Sequence, residues 1–274
     1  MLHVGFRHSR EAAVKLRTVH IYIKSSDKEL HMKTSAKNIE KRVIALLLVC
    51  IMSISVLLTG CSGDSRKPFE KSTDPYSDNT EIVYDLGRST ISYGKYLYFV
   101  AYYELVAQAM MQSYESELGF TGDYFAQKYD ETQTEADHYK SLVEETVIYY
   151  EIAKNAALDA GMTLSADELE ECRVTAQLTF DSFTEAQVKQ SGITVDGIDA
   201  ALRTQELALK YEDSIREKLS QKEDFIAIQS EEDKSSYLRK GIDLVYEELK
   251  RQYQVVANQD LLDTVKIGKV TIVD

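Results

Sequence analysis

Apolar positions recur at helical spacing over most of the chain beyond residue 80, and β-branched, strand-like stretches stand only near the two ends of that region. Glu81-Ile-Val-Tyr-Asp-Leu86 reads as a short strand closed by Gly87 as a turn residue. Ile91-Ser92 then opens a helix, with Ser92 as its N-cap. Tyr96, Val100, Tyr103, Ala107, Met110 and Tyr114 share one face of it, while Tyr98, Phe99, Tyr102 and Leu105 cover much of the rest. A helix apolar nearly all round is either deeply buried or partly open to a partner.

Residues 119–130 read as a loop carrying Tyr124, Phe125 and Tyr129. Thr132-Gln-Thr-Glu135 has capping-box spacing and starts a second helix, with Leu142, Thr146, Tyr149, Ala153, Ala156 and Ala160 on one face and Gly161 as its stop. Ser165-Ala-Asp-Glu168 opens a third with Leu169, Cys172, Ala176 and Phe180. After the break at Gly192-Ile-Thr194 comes a long helix with Ile198, Leu202, Leu209 and Ile215. Residues 220–234 are polar and acidic except for Phe225-Ile-Ala-Ile228, and a last helix covers about 235–257. The alternating, β-branched segment 264–273 reads as a strand. A lone strand at each end of a helical domain cannot satisfy its own backbone, so the two are expected to pair. The fold class predicted is mainly α, a helical domain over 81–274 closed by short N- and C-terminal strands.

Charge divides the chain. The whole carries −13, but the part after residue 60 holds 22 basic and 41 acidic residues and stands near −19. So acidic a surface repels phosphate backbones, which argues against nucleic-acid binding. Both prolines of the chain, Pro68 and Pro75, fall within 61–80, a Ser- and Asp-rich stretch that reads as a flexible tether.

Lys41-Arg42 precede an apolar run over 43–58 that ends in Leu58-Thr59-Gly60-Cys61. A basic start, an apolar core and small residues before a cut describe a secretory signal. The run holds Ser53 and Ser55 and is short for a spanning helix, which needs about 20 mainly apolar residues. Leu-Thr-Gly-Cys resembles the lipobox of bacterial lipoprotein precursors, which implies lipid on Cys61 and an extracytoplasmic protein held at a membrane through it. Met32-Lys33 makes a conventional start for the signal over 32–60, leaving 1–31 as an extension without an assigned role. Cys50 leaves with the signal, so Cys172 stands alone and reads as a small core residue on a helix.

Several of these segments together resemble the N-terminal chaperone domain of SurA/PrsA-type foldases and, more remotely, the C-terminal region of trigger factor. They are the strand leading into Ile91-Ser92, the helix over 142–154, the stretch Gly-Met-Thr-Leu-Ser-Ala-Asp-Glu-Leu-Glu at 161–170, Gln190-Ser-Gly-Ile-Thr194, and Ile267-Gly-Lys-Val-Thr-Ile272. The resemblance spans about 81–274 and implies a chaperone that binds unfolded or secreted polypeptides. It also carries a departure. In such foldases a parvulin isomerase domain usually sits between the long helix and the last one, whereas here only 220–234 fill that slot. The parvulin site needs histidines, and His138 is the one histidine after Cys61, so isomerase activity is not expected.

The residues point the same way. There is no HExxH, P-loop, GxGxxG or calcium-loop motif, and one histidine makes a poor triad, so no metal or cofactor is expected. Glu144-Glu145, Glu170-Glu171 and Glu247-Glu248 are adjacent on helices, point about 100° apart and read as solvated faces. Seventeen of the 18 tyrosines follow Cys61, and tryptophan is absent. Tyrosine has an apolar body and a polar tip, which suits either a core boundary or loose recognition of many chains. Tyr98, Tyr102, Leu105, Tyr124 and Tyr129 are the candidate polypeptide-binding residues. The expected function is that of an anchored holdase. The alternatives are a foldase related to prolyl isomerases and a lipoprotein dedicated to one cell-envelope partner.

Overall fold

Helices dominate the computed structural model, which describes residues 77, 78, 80–118 and 122–272. Cys61, the signal segment and most of the 61–80 tether lie outside the described residues. A first strand, β1 (Ile82–Asp85), turns through Gly87 (φ 77°) into β2 (Thr90–Ser92), which the sequence reading had merged into the helix start. The turn is tied by Leu86 N–H to Ser89 O (2.9 Å) and Gly87 N–H to Asp85 Oδ1 (2.8 Å). Helix α1 (Tyr93–Leu118) follows at once, with Lys95 N–H donating to Ser92 Oγ.

Helix α2 (Glu135–Asp159) begins two residues later than the predicted capping box. Thr134 and Asp137, rather than Thr132 and Glu135, exchange the cap bonds. Helix α3 (Ala166–Phe180) starts where expected, at the Ser165/Glu168 box. Glu168 also meets Lys210 Nζ at 2.9 Å. The Ser165 N–H, with Lys210 behind it, pulls the Glu168 carboxyl down to about 2. A lowered carboxyl stabilises the fold above its unfolded value of about 4.3 and stops doing so as pH falls through about 2. Glu168→Gln keeps the cap and drops the charge. It is expected to lower Tm by about 2 °C at neutral pH, and the difference from the parent should vanish near pH 2 in pH-resolved thermal melts.

A short helix unforeseen in the sequence reading, α4 (Glu185–Ser191), sits between a Thr184/Gln187 capping box and Gly192 (φ 71°). Helix α5 (Val195–Ser220) is the hub, packing on α1, α2 and α3 and on α7 (Glu231–Lys250), with the one-turn helix α6 (Glu223–Ile226) between. Its crossing with α1 is close: a Cβ on Gly197 would lie 2.9 Å from Gly94 Cα, so only glycine fits. Cys172 is buried, as expected, and burial pushes its thiol up to about 11, away from reactivity.

The two ends of the domain do pair, but through different residues from those predicted. The last long helix covers Glu231–Lys250 rather than about 235–257, and β3 (Val256–Ala257), not the segment from 264 onward, lies antiparallel on β1 in the order β2-β1-β3. With both edges of β1 occupied, no ladder is left on it for the C-terminal segment. After α8 (Gln259–Leu262) that segment, 264–272, runs as turns and irregular chain, with Val265, Ile267 and Val270 buried.

The face expected on α2 is also displaced. Tyr139, Val143, Val147 and Tyr150 are buried, whereas Leu142, Thr146 and Tyr149 are half-buried. From there every residue over 150–157 is buried, including Glu151, Lys154 and Asn155. Glu151 Oε1 meets Lys154 Nζ at 2.6 Å, and its Oε2 meets Lys95 Nζ of α1 at 3.3 Å. Asn155 Nδ2 donates to Ser89 Oγ in the hairpin turn (2.7 Å). This charged cluster joins the small sheet, α1 and α2.

Candidate functional site

Helix α1 carries two stripes with different fates. Tyr96, Val100, Tyr103 and Ala107 are buried, as their spacing predicted, and the side chains of Met110 and Tyr114 fall outside the described set. The second stripe runs Tyr98, Tyr102, Leu105 at i, i+4, i+7, with both tyrosines half-buried and the leucine open. Tyr98 packs on the cluster of Ala101, Ala176, Ile193 and Ile198 built by α3, the α4–α5 junction and α5. Tyr102 is half-buried, and Leu105 is 48% exposed.

Tyr102 meets Tyr103 edge-on at 5.2 Å, and Tyr103 reaches Tyr139 of α2 at 6.4 Å. Tyr139 in turn meets Tyr124 (6.3 Å), Phe125 (5.9 Å) and His138 (5.8 Å). Tyr129 lies flat on His138, centroids 3.7 Å apart and planes 4° from parallel. One continuous run of rings thus joins Tyr102, Tyr124 and Tyr129, three of the five residues singled out by sequence. Tyr98 turns instead to Phe99, 5.2 Å away.

Two expectations change here. Tyr124 is a core residue, only 5% exposed, because the 122–134 loop folds back on the start of α2 and presses its ring against Phe125 and Tyr139. The loop is held there by Ala136 N–H to Phe125 O (3.1 Å) and Glu135 N–H to Gln127 O (2.9 Å). His138, read as solvated, is half-buried beneath Tyr129, which is itself 41% exposed. Burial raises the Tyr124 phenol and pushes that of Tyr103 up to about 12, so these rings stay neutral. Tyr103 Oη and Thr146 Oγ1 share a hydrogen bond of 2.7 Å.

Beside this run lies the C-terminal strap, residues 266–272. Gly268 (φ 86°) rests on the Phe125 ring so closely that a Cβ would be 2.5 Å from it. Glu104 of α1, 0% exposed, accepts Gly268 N–H (2.7 Å) and Val270 N–H (3.0 Å) on Oε1, and Thr271 N–H (2.5 Å) and Oγ1–H (2.6 Å) on Oε2. From α4, Gln187 Nε2 donates to Thr271 O (2.6 Å), and Gln190 Nε2 donates to Lys269 O and Ile272 O. In the sequence Gln190 stands out only as part of Gln190-Ser-Gly-Ile-Thr194, and Glu104 and Gln187 not at all. The Thr184-x-x-Gln187 spacing was a usable signal for α4, but nothing local marks Glu104 as buried.

Elsewhere, a dimple between α2, α5 and α7, lined by Tyr149, Tyr211, Ile215 and Tyr246, has room for about one water molecule and no organic ligand. Among the described residues no group of His, Cys, Asp and Glu is placed to hold a metal, and no helix is long and apolar enough to cross a membrane.

Fold and site together define a mainly helical protein with a three-stranded antiparallel sheet, an aromatic run that reaches the surface at Tyr129 and a clamped C-terminal strap. Compared with protein families, characterised proteins and solved structures, the chain finds no match.

Proposed function

We propose that this chain is an extracytoplasmic lipoprotein, tied to a membrane through Cys61, that holds segments of unfolded or secreted polypeptides on its aromatic run without a chemical step. The signal-like flank and Leu-Thr-Gly-Cys61 support the anchor, and the resemblance of 81–274 to SurA/PrsA-type chaperone domains supports the holding role. The observation that carries the reading is the Tyr98, Tyr102, Leu105 stripe, two half-buried rings that end in an exposed leucine. A single exposed leucine is ordinary, but here it continues a stripe of half-buried aromatic side chains along α1. The neutral rings supply apolar contact without demanding a particular partner sequence, and the acidic exterior favours basic clients.

The test is aggregation of a reduced client in the presence of the chain from Cys61 onward, carrying Cys61→Ser. Suppression is expected at a few-fold molar excess, and none at that ratio sinks the reading. Leu105→Glu places a charge on the open end of the stripe at a cost to folding of less than about 0.5 kcal/mol, because the site is exposed. It should weaken suppression several-fold with Tm unchanged. Recovery of one stoichiometric partner in place of many clients would point instead to a dedicated envelope subunit.

A further inference from the structure

We propose that the C-terminal strap is an internal occupant of a peptide-binding groove, and that extended, β-branched stretches of a client compete with it for Glu104, Gln187, Gln190 and the Phe125 ring. The inference deepens the chaperone reading and rests on it for the identity of the competitor.

Three features distinguish this groove from ordinary packing. First, the clamp reads main chain. Apart from Thr271 Oγ1–H, the hydrogen bonds that join Glu104, Gln187 and Gln190 to the strap are made with backbone N–H or C=O groups, which any polypeptide offers. This is the recognition logic of strand addition, with side chains standing in for a sheet edge. Second, the groove cannot stand empty at small cost. Glu104 is fully buried with the strap in place and gives up four hydrogen bonds when it leaves, so release is favoured when another backbone supplies those donors. Release and capture are thereby coupled.

Third, the strap binds through a feature that is easily broken. Gly268 combines positive φ with contact against Phe125, so no other residue fits there without displacement. The buried neighbours Ile267 and Val270, with Thr271 beyond, define the preferred ligand as an apolar residue, glycine, any residue, a β-branched residue, then serine or threonine. Gln187 fits the same arrangement. Its Oε1 caps α4 by accepting from Thr184 N–H, while its Nε2 donates to the strap, which a glutamate could not do.

The decisive experiment uses the full-length chain in nonionic detergent and a peptide probe, Thr-Val-Lys-Ile-Gly-Lys-Val-Thr-Ile, copied from 264–272. In hydrogen exchange by mass spectrometry, excess probe should speed exchange over 268–271, and a scrambled probe should not. Protection that stays unchanged under excess probe overturns the proposal. By fluorescence anisotropy, Gly268→Val, which evicts the strap, should bind labelled probe about ten-fold tighter than the parent chain, as expected when the competent state rises from a minor to the major population. Gln187→Glu, which keeps the α4 cap, should also expose the strap to exchange while lowering probe affinity, because it removes one clamp donor. Equal affinity in the parent and Gly268→Val chains again overturns the proposal. Should Gly268→Val fail to fold, the exchange measurement on the parent chain decides alone. The two readings fail separately. Suppressed client aggregation with an undisturbed strap retains the chaperone and removes this site, whereas probe capture without any suppression retains the groove and removes the chaperone.

Discussion

Glu151→Ala is expected to cost about 3–5 kcal/mol of folding stability, a large part of what a domain of this size possesses. The side chains of Lys95, Glu151 and Lys154 are 3%, 1% and 1% exposed, so the three charges have lost most of their hydration. Glu151 bridges both ammonium groups, at 3.3 Å and 2.6 Å, and its removal leaves two buried cations without that carboxylate. Glu151→Gln keeps the volume and should cost nearly as much, which would identify charge rather than packing as the cause. Lys95→Met should cost clearly less, because Glu151 retains Lys154 and the methionine recovers apolar contact. Urea denaturation followed by circular dichroism measures all three. A loss below about 1 kcal/mol for Glu151→Ala would mean that the cluster remains hydrated and is no keystone.

The second large effect is expected at Glu104. Glu104→Ala orphans three backbone N–H groups and one hydroxyl, each worth about 1 kcal/mol, for a gross loss of about 4 kcal/mol. The net loss should be smaller, about 2–3 kcal/mol, for two reasons. Removing a buried charge relieves its desolvation, and the strap can peel away and give its donors to water. The predicted signature is therefore uneven: exchange over 268–271 becomes fast, while protection in α2 and α5 falls much less. A uniform drop across the fold would show instead that the strap is an inseparable part of the core.

These two carboxylates mark where reading the chain residue by residue stops being sufficient. The Ser165/Glu168 box and the turns at Gly161 and Gly192 were legible because cap bonds and left-handed glycines act over three or four residues. The capping box of α2 was found within two residues of its place, since Thr132 and Thr134 offer similar signals and the folded 122–134 loop selects the second. By the same local rules Glu151 and Lys154 fall on helix positions that read as solvent-facing, and nothing nearby contradicts that. Their burial depends on Lys95, 56 residues from Glu151, and on the hairpin turn that Asn155 bonds.

For the candidate site the division is similar. The stripe Tyr98, Tyr102, Leu105 could be read from helical periodicity, but its exposure could not, because the side chains that pack on Tyr98 come in part from α3, the α4–α5 junction and α5. Tyr124 looked like a loop tyrosine free to meet a partner until the loop's backbone bonds folded it under Phe125 and Tyr139.

The amino-acid sequence by itself determined that the region beyond residue 80 is mainly helical, where its long helices before residue 220 begin to within two residues, that Cys172 is a core thiol and that the part after residue 60 is strongly acidic. Only the tertiary structure decided which strand closes the sheet. Segment 264–273 has strong strand propensity, yet 90–92 and 256–257 occupy both edges of β1, and backbone groups of 268–272 bond to Glu104, Gln187 and Gln190 instead. Strand propensity is a property of a segment, whereas a ladder needs a free edge, and whether one exists is settled by chain up to about 170 residues away.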